Sequence, residues 1–163
     1  MTYLAGLGIE TRTVDHKAVF TVAQSKEIET GLPGGHIKNL FLKCKKGQLH
    51  LVVALNSTAV DLKSLHKSLG SGRLSFGNAE LLKATLGVEP GSVTPFALVN
   101  DTAGIVAVAL DARMMRHDLL NCHPLTNTAT TAIARDDLMR FIRATGHEPR
   151  VIELSANALG GAD

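Results

Sequence analysis

Apolar and polar positions alternate most clearly between Ile37 and Lys43. A period of two is that of a strand, so Lys38, Leu40 and Leu42 share one face and Ile37, Asn39, Phe41 and Lys43 the other. Gly34 and Gly35 release the backbone just before it. Lys38 therefore stands among leucines at the mouth of an apolar layer. It is either a strand-end charge whose stem lies along apolar surface, the commoner use of a lysine, or a cation aimed into a pocket. A turn at Lys45-Lys46-Gly47-Gln48 leads to Leu49–Leu55, almost wholly apolar. That run predicts a central strand, buried on both faces and hairpinned to the first.

Elsewhere the pattern is more broken. Ile9–Val14 alternates and reads as a strand. Thr21 is placed to cap a helix over 22–30, which Leu32-Pro33-Gly34-Gly35 stops. Apolar residues at 62, 65 and 69 have helical spacing, and Gly70–Gly72 ends that segment. Leu74–Phe76 is a short strand. Asn78 caps a helix over Ala79–Leu86 with Leu81, Leu82 and Leu86 inward and Gly87 at its C-terminus. Phe96–Val99 and Ile105–Leu110 read as a second hairpin around the turn 100–104. Arg113–His117 is a short basic helical turn, and Leu119–Leu125 is extended until Pro124. Thr126–Ile133 suits a strand. A last helix starts at Asp136 or Asp137, buries Leu138, Phe141 and Ile142 and ends at Gly146, before a final strand at Val151–Leu154. The small residues of 155–163 read as a flexible tail. Hairpins mixed with short helices predict an α+β fold: a single domain whose mixed or antiparallel central sheet is flanked by short helices.

Composition narrows the function classes. The 163 residues are enough for one domain with a real core. A net charge of +2 gives no global attraction to nucleic acid or membrane, although it is silent about local patches. Five Phe, one Tyr and no Trp argue against a row of base-stacking platforms. Cys44 and Cys122 are too few for a disulfide framework, so reduced thiols and a cytoplasmic protein are expected. No basic, apolar signal segment opens the chain, and no apolar run approaches the ~20 residues of a membrane span.

The familiar catalytic patterns are missing. GxSxG, GxGxxG and GxxxxGK[ST] do not occur. The seven histidines form neither HxH nor HExxH. His117, Cys122 and His123 lack the ordered spacing of a zinc site, and no metal or other cofactor is expected. Three stretches remain. One holds Lys38 and Asn39. The second, Gly91-Ser92-Val93-Thr94-Pro95, is either a plain turn before a strand or a rigid nest of N–H groups for a phosphate or oxyanion. The third holds His123, made extended by Pro124, and a threonine run; it reads as a structural histidine beside a solvated strand face or as a site.

Three pieces carry a resemblance: GGHIKNLFLK at 34–43, GSVTPFAL at 91–98 and HPLTNTATTAI at 123–133. Their order, within a match from about Ile9 to Leu154, resembles the YbaK/prolyl-tRNA synthetase-associated domain superfamily, free-standing relatives of the synthetase's editing insertion. Within it the sequence is most similar to the ProXp-ala (PrdX) group. The resemblance implies a trans-editing deacylase that hydrolyses mischarged Ala-tRNA(Pro). By motif, Lys38 matches the essential lysine, Gly91–Pro95 the GxxxP loop with Ser92 inside it, and His123 the pocket histidine. Asn39, Val93 and Thr94 adjoin these motifs as candidate substrate contacts, and Ile37 and Leu40 are candidate pocket walls. Lys43, Lys45, Lys46, Arg113 and Arg116 are candidate contacts to the tRNA acceptor end. Transient contact with prolyl-tRNA synthetase or an elongation factor is expected, and none with a membrane. The same chemistry on Cys- or Ser-tRNA(Pro), or a non-catalytic tRNA- or synthetase-binding module, are the competing readings.

Overall fold

In the computed structural model, the alternating stretch becomes strand β2 (Gly35–Cys44) and the apolar run becomes β3 (Leu49–Leu55). The structure describes residues 8–9, 11–15, 35–45, 47–55, 58, 60, 65, 67, 69–70, 72–89, 92–122 and 129–152. β2 and β3 pair antiparallel, with Lys38 opposite Ala54 and Leu42 opposite His50. The turn closes through Cys44 N–H to the Gln48 carbonyl, 2.9 Å, with Gly47 at φ 91°. That left-handed angle is why a glycine stands there.

The remaining strands are β1 (Thr11–Asp15), β4 (Leu74–Phe76), β5 (Val106–Asp111), β6 (Leu119–Cys122), β7 (Ala129–Ala134) and β8 (Arg150–Ile152). The sheet order is β1-β7-β6-β2-β3-β5-β8, and β4 pairs with β2 outside this path. β3–β5, β5–β8 and β2–β6 are parallel and the other pairings antiparallel, so the sheet is mixed. β3 lies between β2 and β5 and has Leu51, Val52, Val53 and Ala54 fully buried, as a strand covered on both faces requires.

Each face of this sheet carries its own apolar cluster. The larger takes Ile37, Phe41, Leu51, Val53, Val108 and Leu110, and packs them against Phe96, Leu138, Phe141 and Ile142. The smaller takes Leu42, Val52, Ala54, Ala109 and Ile152, and packs them against Leu65 and Leu69, with Leu40 alongside. The alternation expected of β2 is thus realised, and Lys38 belongs to the face of the smaller cluster.

Helix α1 (Ala79–Leu86) has the expected caps: Asn78 accepts from Leu81 N–H at 2.7 Å, and Gly87 takes φ 71°. Helix α2 (Arg135–Ala144) buries Leu138, Phe141 and Ile142, but Ala134 is its N-cap, so Asp136 and Asp137 fill its first turn rather than start it. Negative charge there complements the exposed N–H groups.

The second hairpin is not formed. Pro95–Asn100 is a 3-10 helix, and β5 instead lies parallel to β3. The Thr94 hydroxyl accepts from Phe96 N–H at 3.3 Å, Pro95 occupies the first turn, and Phe96, Ala97 and Leu98 are all buried. A short apolar run buried all round has no periodicity to separate helix from strand. Phe96 meets Phe141 edge-on, with centroids 5.4 Å apart, which fixes this segment against α2. The segments expected at 22–30 and 155–163 lie outside the described residues. Among the described residues no helix is long and apolar enough to cross a membrane.

Candidate active site

Lys38 lies near the start of β2, on a row that crosses the sheet. Its cross-strand neighbour is Ala54. Val53 pairs with Leu110, so Ala54 and Asp111 form the next rung, and Asp111 pairs with Ile152 of β8. Lys38, Ala54, Asp111 and Ile152 therefore share one face. Ala54 is small enough to let charged groups meet above it.

Asp111 is fully buried. Its Oδ2 accepts from Thr58 Oγ1 at 2.5 Å and from Leu55 N–H at 3.2 Å, and its Oδ1 accepts from Arg113 N–H at 3.0 Å. These donors satisfy the hydrogen-bonding capacity of a carboxylate in a buried position. It ties together the end of β3, the segment at Thr58 and the turn after β5. Lys38 Nζ donates to the Thr58 carbonyl. Burial lowers the Lys38 pKa from its ordinary 10.5, and the negative charge of Asp111 opposes that fall. The result is a lysine held by a backbone carbonyl in the field of a buried acid.

The other face of β2 offers an acceptor. The Asn39 Oδ1 is buried and has no hydrogen-bond partner. A buried amide oxygen left unpaired costs free energy, and such atoms mark places where a ligand or water belongs. β2 pairs with β6 only at Gly35–His36 and with β4 only at Leu42–Cys44. Among the described residues these two strands leave the edge at 37–41 between them, and Asn39 is at its centre. Gly35 admits His117 over the start of the strand: a Cβ there would meet the His117 ring at 2.9 Å.

The loop before Pro95 packs on the Asn39 side, since Val93 lies against the larger cluster. Ser92 N–H already donates to the Glu89 carbonyl at 3.0 Å, and Pro95 has no N–H. The N–H groups of Val93 and Thr94 are the donors of this loop that no described hydrogen bond uses. Thr94 and Pro95 are buried, with the Thr94 hydroxyl engaged in capping.

The described contacts thus take Lys38 to Thr58 and Asp111, and take the 92–95 loop to the cluster that holds Ile37. Leu40 is on the Lys38 face and Ile37 on the opposite one, so the two expected pocket walls are divided by the strand. The basic candidates divide as well. Arg113 precedes and Arg116 ends the turn Met114–Arg116 just after Asp111, at the Lys38 end of the sheet. Lys43 and Lys45 are exposed at the far end of β2, roughly 17–23 Å from Lys38 at ~3.3 Å per residue. Gly91, His123 and Lys46 lie outside the described residues.

Thr58 and Asp111 were not among the residues singled out from sequence. The available signal was an acid closing an apolar strand, at Val106–Asp111, and it is a weak one. Cys122 is fully buried, with its thiol pushed up by burial, so it is a core residue and not a reactive thiol. Among the described residues no three His, Cys, Asp or Glu side chains are grouped to hold a metal ion.

Comparison with known proteins places this geometry in context. Residues 16–141 match the family model of the aminoacyl-tRNA editing domain. The chain is 38 % identical over 152 residues to a zebrafish (Danio rerio) prolyl-tRNA synthetase associated domain-containing protein 1, covering 92 % of this chain and 83 % of that one. It is 34 % identical over 149 residues to the prolyl-tRNA editing protein ProX of Acetoanaerobium sticklandii, covering 91 % of each. Among solved structures, one described as a trans-editing enzyme for prolyl-tRNA synthetase superposes with a TM-score of 0.67 at 19 % identity, over 88 % of this chain and 86 % of that one.

Proposed function

The chain belongs to the aminoacyl-tRNA editing domain family, and from that premise we propose that it is a trans-editing deacylase that hydrolyses the ester of mischarged Ala-tRNA(Pro). The observation that carries the proposal is the Lys38 ammonium, held by the Thr58 carbonyl beside the buried Asp111 carboxylate. The relative named a prolyl-tRNA editing protein supports tRNA(Pro) as the nucleic acid.

An aminoacyl ester is an activated acyl group, so water suffices as nucleophile and no serine or cysteine triad is required. Water adds to the ester carbonyl, giving a tetrahedral oxyanion and a proton that passes through solvent to the departing ribose oxygen. The bond to the ribose oxygen then breaks, releasing the amino acid and a tRNA 3′ hydroxyl. Lys38 supplies positive charge to the terminal phosphate or ribose and holds the ester in register. As an ammonium it is a poor base near neutral pH. The N–H groups of Val93 and Thr94 are the donors for the oxyanion. The unpaired Asn39 oxygen accepts a hydrogen bond from the substrate, whose α-ammonium and ribose hydroxyls are the available donors. Selection of alanine over proline is by size. Serine and glycine are harder to reject, because one small group is worth only about 1–3 kcal/mol.

Single-turnover hydrolysis of Ala-, Pro-, Cys- and Ser-tRNA(Pro) tests the proposal. Fast loss of alanine alone supports it. Faster loss of cysteine or serine moves the specificity within the same chemistry. Spontaneous rates for all four would contradict it.

A further inference from the structure

We propose that Asp111 and Thr58 are positioning residues that fix the Lys38 ammonium for hydrolysis, an inference that rests on the deacylase reading above. Asp111 lies two strands from Lys38 on the same face, too far in the chain for any local motif to couple them. The link between them is Thr58. Its hydroxyl donates to Asp111 Oδ2, and its carbonyl receives Lys38 Nζ. The same carboxylate accepts from Leu55 N–H and so holds the point where β3 ends and this segment leaves the sheet. Arg113 N–H fixes its other oxygen. Asp111 therefore does two things to Lys38 without touching substrate. It sets the place of the carbonyl that orients the ammonium, and its charge favours the protonated form against the cost of burial.

Both effects have distinct signatures. Asp111→Asn keeps the shape but puts an NH2 where an oxygen accepted, and removes the charge. Thr58→Val deletes only the hydroxyl, leaving the backbone carbonyl without its anchor. Thr58→Ser restores the anchor. Among the described residues the other titratable or charged groups on this face are His36 and Cys44 of β2, His50 of β3 and Arg150 of β8, with Lys67 exposed near the packed Leu65 and Leu69. None of these changes in the variants, so a shifted pH profile reports the loss of the Asp111 charge.

The experiment is single-turnover hydrolysis of Ala-tRNA(Pro) from pH 6 to 9, corrected for the spontaneous rate, with tRNA affinity and thermal unfolding measured on the same proteins. For Asp111→Asn the rate constant is expected to fall up to about 100-fold, with tRNA affinity unchanged. Its alkaline limb is expected to move to lower pH, because an ammonium without a neighbouring anion loses its proton sooner. Thr58→Val is expected to lose roughly tenfold and Thr58→Ser to recover. Wild-type rates and an unmoved alkaline limb in Asp111→Asn would overturn the proposal. If that variant does not fold, equal rates for Thr58→Val and Thr58→Ser would overturn it instead. An active wild type with unaffected variants rejects the positioning role alone, whereas an inactive wild type rejects the deacylase reading beneath it.

Discussion

Two buried aspartates bracket β5, and they are used differently. Asp101 precedes the strand. Its Oδ1 accepts from Ile105 N–H at 3.2 Å, and its Oδ2 accepts from Val106 N–H at 2.9 Å and bonds His147 Nε2 at 2.7 Å. His147 is buried, with its Nδ1 2.8 Å from the Thr145 hydroxyl. Every group in this network belongs to the start of β5, the turn before it or the segment just after α2, so it fastens the chain to itself. Asp111 ends the same strand with an equally full set of backbone donors, but one of its neighbours is a lysine near a strand edge that the described residues leave open. Burial and hydrogen bonding are alike at the two ends. What distinguishes the proposed site from a clamp is the lysine that Thr58 holds beside the acid.

The largest effect is expected at Asp101. Asp101→Ala leaves His147 Nε2 and the N–H groups of Ile105 and Val106 without their acceptor, and should destabilise the fold by about 1–3 kcal/mol for each buried group left unpaired. Protein that remains folded at low temperature should still hydrolyse ester at the wild-type rate. Urea unfolding alongside the deacylation assay measures both. A loss of rate without a loss of stability would reverse the roles given to the two acids.

The comparison is sharpened by pH. Burial alone would raise the Asp101 pKa, but hydrogen bonds from His147, Val106 and Ile105 outweigh it and hold the carboxyl below its ordinary 3.8. A carboxyl lowered in the folded state stabilises fully above the unfolded value and loses that contribution as pH falls through the folded one. The stability gap between wild type and Asp101→Asn should therefore narrow as pH falls below about 4. Unfolding free energies across that range would show a gap independent of pH if the carboxylate had no part in it.

A smaller effect is expected beside the site. A Cβ on Gly77 would come within 2.5 Å of the Phe41 ring, on the Asn39 face of β2. Gly77→Ala should cost about 1–3 kcal/mol as Phe41 is displaced, readable as a lowered Tm. An unchanged Tm would mean that Phe41 has room to move. The smallest effects belong to the surface. Arg116→Ala, at the Lys38 end, should weaken tRNA binding and reduce the slope of log K against log salt by about one. Lys45→Ala, at the far end of β2, should change it less. Equal slopes would extend the tRNA footprint along the whole strand.

Much of the frame was legible in the sequence because it obeys short-range rules. Strands β2 and β3, their turn, the faces of Lys38 and Ile37 and the caps of α1 follow from alternation, glycine and a capping asparagine. Pro95–Asn100 was not legible, because four buried apolar residues between two turns satisfy strand and helix patterns equally. The site divides along the same line. Lys38 and the 91–95 loop stand in contiguous motifs and could be found. Thr58 and Asp111 are 53 residues apart and meet only when β3 and β5 pair, so nothing local marks either one. The unpaired oxygen of Asn39 is also a tertiary fact, set by how far β4 and β6 extend along β2.

The most direct test of the account is the rate of Ala-tRNA(Pro) hydrolysis by wild type and by Lys38→Ala under single-turnover conditions. Rapid loss of alanine by the wild type is expected, with a spontaneous rate in a variant that is folded and still binds tRNA. A folded Lys38→Ala that hydrolyses the ester as fast as the wild type would contradict it.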